Sequence, residues 1–78
     1  TVLYQDNNWR RFEETVRASR GVIDGTGSRH GHTVAYEHGR IYDPKGPVYE
    51  YSRLACEAHQ FYTRCAWRLD PIGERICE

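Results

Sequence analysis

His32 and Asp43 are the residues of this chain whose types and spacing point most directly to chemistry, an imidazole and a carboxylate on either side of one tight turn. Two β-prone runs, His32-Thr33-Val34-Ala35-Tyr36-Glu37 and Arg40-Ile41-Tyr42-Asp43, flank His38-Gly39. A two-residue loop ending in Gly supplies the positive φ of a type I′ turn, and His is tolerated before it. The turn predicts a register in which Glu37 faces Arg40, Tyr36 faces Ile41, Ala35 faces Tyr42 and Val34 faces Asp43. Period-two alternation then collects His32, Val34, Tyr36, Ile41 and Asp43 on one side. His32 and Asp43 become diagonal neighbours, roughly 7–8 Å apart at the backbone, within reach of a carboxylate that sets an imidazole's tautomer.

The elements that must position this pair read as α+β. Asp6-Asn7-Asn8 is a cluster of N-cap residues, and Trp9, Phe12 and Val16 follow at i, i+3 and i+7, so the pattern predicts an amphipathic helix over about residues 8–20. Arg10 with Glu14 and Glu13 with Arg17 are ion pairs on its wet face, and Gly21 is its expected αL stop, with Val22 closing onto Val16. Residues 23–31 read as a flexible loop. Pro44-Lys45-Gly46-Pro47 is a turn and 48–51 a third strand. Ser52 caps a second helix, whose apolar stripe of Leu54, Ala58, Phe61, Tyr62 and Cys65 should pack on the sheet. A last strand around Trp67 and Leu69 ends at Asp70-Pro71. The expected fold is therefore one small domain over 1–78, a three- to four-stranded antiparallel sheet with two short helices.

Composition narrows the classes of function. The chain has 78 residues, a formal net charge of zero and eleven basic residues, of which only Lys45 is Lys. A neutral balance argues against a nucleic-acid footprint. No apolar run nears the roughly 20 residues of a membrane span, and no basic region leads into an apolar stretch at the start, so a soluble, cytoplasmic protein is expected. Cys56, Cys65 and Cys77 cannot all pair within the chain and are read as reduced thiols, a Cys65–Cys77 bridge remaining open.

Gly31-His32-Thr33-Val34-Ala35-Tyr36 followed by Gly39-Arg40-Ile41-Tyr42-Asp43-Pro44 resembles the His and Asp strands of papain-like thiol hydrolases, including NlpC/P60-type, bacterial toxin and phage variants. The shared pattern is a His opening one strand and an Asp-Pro closing the next, and it covers about a dozen residues of this chain. The resemblance implies a base at His32 and an orienting carboxylate at Asp43, serving a Cys at the start of a preceding helix. Here that helix carries no Cys, Ser or Thr near its start. Circularly permuted relatives place the His before the Cys, which makes Cys56, near the N-terminus of the second helix, the candidate nucleophile. Against this, Cys56 lies about 200° around from Leu54 at 100° per residue, and so points away from the stripe expected to face the sheet.

His30-Gly31-His32 and Cys56-Glu57-Ala58-His59 offer imidazole and thiol ligands, but their spacing matches no common zinc module, so neither a metal nor another cofactor is expected. What remains is an unusual load of Tyr, Trp and Arg for so small a core, with six Tyr and two Trp. These types dominate interface hot spots. The expected function is a small non-catalytic protein-binding module, resembling in size and style the phage-encoded modulators or inhibitors of host proteins, with a second copy of the chain also open as partner. The alternative is a permuted or degenerate cysteine hydrolase using Cys56, His32 and Asp43. Arg40, Tyr42, Tyr49 and Tyr51 are the leading contact residues, with Tyr4 a further exposed aromatic.

Overall fold

The computed structural model describes residues 6–27 and 30–77, with side chains from Trp9 onward. The chain order is α1 (Asp6–Ala18), β1 (Arg20–Thr26), β2 (Gly31–Glu37), β3 (Arg40–Tyr42), β4 (Val48–Glu50), α2 (Arg53–Ala58), β5 (Tyr62–Asp70) and β6 (Ile76–Cys77). All strand pairs are antiparallel, in the order β4-β3-β2-β1-β5-β6. The fold is α+β as expected, but the sheet has six strands rather than three or four.

α1 forms where its stripe predicts it, and Trp9, Phe12 and Val16 enter the core with Ile23, Val34, Tyr36, Ile41, Tyr51, Cys56, Phe61 and Ala66. The Trp9 and Tyr51 rings stack at 4.8 Å. Glu13 and Arg17 form the expected i,i+4 pair at 3.4 Å. The helix does not stop at Gly21. It ends at Ala18, and its late carbonyls are met by the hairpin turn: the amide of Gly39 donates to Val16 (2.8 Å) and that of His38 to Ser19 (2.9 Å). These partners come from a distant segment, so a local αL closure is unnecessary.

The largest departure is β1, the central strand, which occupies residues expected to end a helix and begin a loop. Its two glycines suggest a break, yet their role is close packing. A Cβ on Gly21 would collide with the Trp67 carbonyl and lie 3.0 Å from the Tyr36 hydroxyl; one on Gly25 would lie 2.8 Å from the Phe61 ring. Tyr36 uses this space to hydrogen bond Ser19 (2.9 Å) and to donate to the Trp67 carbonyl (3.2 Å).

The expected second helix also divides. Ser52 caps it as predicted, accepting from the Ala55 amide at 3.1 Å, but α2 spans only six residues. Gln60 adopts a positive φ of 54°, the Gln60 amide donates to Glu57 (3.1 Å) and the Phe61 amide to Cys56 (2.9 Å), a Schellman closure with Gln where Gly is usual. Tyr62 and Cys65 then belong to β5. A register shift between Asp24 and Gly25 puts Thr63 opposite Gly25 and Cys65 opposite Asp24, interrupting the simple alternation.

Cys65 pairs with Cys77 across β5 and β6, and the two form a disulfide. The reading of three reduced thiols is corrected to one free thiol, Cys56, and the cysteine argument for a reducing compartment goes with it. Strand pairing is what brings the two thiols face to face. A thiol titration of denatured, unreduced protein should find one reactive group per chain, rising to three after reduction. Closing a loop of this length stabilises by about 2–3 kcal/mol in the chain-entropy account, so Cys77→Ser should lower the unfolding free energy by that order in urea titrations.

Candidate functional site

The hairpin forms in the expected register, with Glu37 opposite Arg40, Tyr36 opposite Ile41 and Ala35 opposite Tyr42. His38 and Gly39 have φ of 45° and 89°, both positive as a type I′ turn requires. This brings the side chains of His32 and Asp43 together: Nε2 of His32 lies 2.8 Å from Oδ1 of Asp43. The same oxygen accepts the Lys45 backbone amide at 2.9 Å, an Asx-type closure of the turn after β3. Both side chains are largely sheltered, and the Phe61 ring meets the imidazole edge-on at 5.9 Å. Burial pushes the Asp43 carboxyl up, but the Lys45 amide, the His32 hydrogen bond and the nearby positive charge together hold it below its ordinary value.

His32 and Asp43 open onto a cleft of about 330 Å³, also lined by Gly27, His30, Lys45, His59, Gln60 and Phe61. Three of the four histidines of the chain thus meet at one place. The His59 ring is held by stacking on Tyr49, with centroids 3.9 Å apart and planes inclined by 12°. No group of three His, Cys, Asp or Glu side chains among the described residues is placed to hold a metal ion.

Cys56 does not complete a catalytic set. It has no exposed surface, and burial is the main cause that pushes its thiol up to about 12. The helical wheel separates Cys56 from Leu54 as expected, but the faces are inverted: Leu54 is 79 % exposed and Cys56 is core. Because α2 ends at Ala58, the residues that would have extended the Leu54 stripe lie beyond the helix. A neutral, enclosed thiol is a poor nucleophile.

The aromatic contact set is also revised. Arg40 and Tyr42 point to the helix-free side of the sheet, as expected. Tyr49 does not join them, because it pairs with Ile41 and faces the helix side. Tyr51 is 1 % exposed, a core residue whose hydroxyl bonds Thr63 at 2.8 Å. Tyr4 lies outside the described residues.

Two rows of residues on the helix-free face were not foreseen. Pairing places Val48, Tyr42, Ala35, Val22 and Trp67 side by side across five strands. Four strand spacings of about 4.8 Å give this apolar row a width of roughly 19 Å. Beside it, Glu50, Arg40, Glu37, Arg20 and Asp70 form a second row in which charge alternates at every step. Arg20 bridges Glu37 (3.5 Å) and Asp70 (2.9 Å). The alternation of Trp67 and Leu69 with Ala66 and Arg68 is the available signal, and the glycines of β1 obscure the rest. Compared with protein-family models, curated proteins and solved structures, the chain matches none.

Iodoacetamide at neutral pH should leave native Cys56 essentially unlabelled, and mass spectrometry should show rapid labelling only after unfolding. A second expectation concerns pH. Asp43 titrates lower in the folded state than in the unfolded one, so its stabilisation is complete above the unfolded value of about 3.9 and is lost as pH falls through the folded value. Asp43→Asn should therefore lower the urea midpoint at pH 6, and lose less further stability than wild type between pH 5 and pH 3.

Proposed function

We propose that this domain is a non-catalytic protein-binding module whose contact surface is the helix-free face of the sheet. The observation that carries this reading is the apolar row of Val48, Tyr42, Ala35, Val22 and Trp67, set beside a row of charges that alternate in sign. Tyr42 is 39 % and Leu69 59 % exposed, and the Arg75 guanidinium lies 5.6 Å from the Trp67 ring centroid. A flat surface rich in Tyr, Trp and Arg has the composition of an interface centre. Its charges present no single sign, so a polyanion gains little there, whereas another protein can satisfy both signs in register. The burial of Cys56 supports the same reading, because a thiol enclosed in the core is poorly placed to serve His32 and Asp43.

The occupant is a different protein, bound by this face as a modulator of its activity. Truncating a central contact typically costs about 2 kcal/mol, roughly a thirtyfold loss of affinity. A partner recovered from a lysate of the source cell should bind Tyr42→Ala and Leu69→Asp variants about that much more weakly, while circular dichroism stays native. Hydrogen exchange should show protection across β2, β1 and β5 in the complex. Unchanged affinity in both variants would overturn the reading. Sedimentation that shows self-association abolished by Leu69→Asp would replace the foreign partner with a second copy.

A further inference from the structure

Besides this face, we infer that the cleft beside His32 and Asp43 is a binding site for a compact oxyanion of the phosphate type. Four segments converge on it: His30 from the β1–β2 connection, His32 from β2, Asp43 and Lys45 from the turn after β3, and His59 with Gln60 from the end of α2. Three histidines, a lysine and a glutamine line the cleft beside one carboxylate. That carboxylate is already engaged at Oδ1 by His32 and by the Lys45 amide, so its charge is partly satisfied within the protein.

The donors left over suit an anion. Imidazoles donate N–H, and Lys adds a point charge with three donors. A phosphoryl group offers three acceptor oxygens, enough to receive donors arriving from several directions, where a carboxylate offers two. The cavity of about 330 Å³ sits at the small end of ligand sites, sufficient for a phosphate monoester. Phe61 adds an apolar wall against His32, and the Tyr49 stack fixes the plane of His59 before any ligand arrives. Pre-positioned donors reduce the ordering cost of binding.

The test titrates inorganic phosphate into the protein at slightly acidic pH and constant ionic strength, following the histidine ring resonances by NMR. The expected result is a saturable shift at His30, His32 and His59, while His38, in the hairpin turn, stays still. Lys45→Met and His59→Gln should each weaken binding about fivefold or more, the scale of one charge-assisted contact. Tyr42→Ala should leave the titration unchanged, which separates this site from the open face. If His59→Gln alters the fold by circular dichroism, the exposed Lys45→Met variant decides. A linear, non-saturating response, an equal shift at His38, unchanged affinity in Lys45→Met, or acetate binding as tightly as phosphate would each overturn the proposal. A parallel titration with a phosphoserine peptide distinguishes the source: tighter binding than inorganic phosphate identifies a phosphorylated protein, and equal or weaker binding a small phosphate ester.

Discussion

The two-residue turn at His38 and Gly39 is the constraint on which the rest of the molecule depends. Its positive backbone angles fix the pairing of β2 with β3, and a slip of one position would send every side chain of a strand to the other face. The turn also points its amides at the carbonyls of Val16, in the last turn of α1, and Ser19, just beyond it, and its Gly39 carbonyl accepts the Tyr51 amide at 2.7 Å. One short loop therefore orients the helix, sets the register that joins His32 to Asp43, and anchors the chain as it leaves β4.

The residues legible in the sequence were those governed by local rules. The hairpin follows from turn geometry, α1 from the spacing of Trp9, Phe12 and Val16, and the start of α2 from the Ser52 cap. What escaped depended on neighbours far along the chain. Gly21 and Gly25 look like breaks until the Trp67 carbonyl, Tyr36 and Phe61 are seen to occupy the space their missing side chains leave. The end of β5 follows from the alternation around Trp67 and Leu69, but its first half is hidden by a register shift and by an apolar spacing that fits a helix as far as Cys65.

The candidate site divides along the same line. His32 and Asp43 could be paired on paper because one turn relates them. His30, His59 and Gln60 could not, since they reach the cleft through the β1–β2 connection and the Schellman closure of α2. Tyr49 and Tyr51 were misplaced for a simpler reason: the turn between β3 and β4 sets which residue meets Ile41, and period-two reasoning alone leaves that phase open. Once Tyr49 takes that place, it supports His59 rather than the outer face.

The rims of the sheet carry a consequence for solubility. One outer strand, β4, is three residues long and the other, β6, only two. Such stubs present few open amides and carbonyls for a neighbouring molecule to extend, so uncontrolled stacking of sheets edge to edge finds little template. The guard on the second rim is tethered covalently by the Cys65–Cys77 bond. Behind it lies β5, nine residues long, which β6 covers at Cys65 and Ala66. The bond therefore holds this short edge strand in its place on the rim as well as stabilising the folded state.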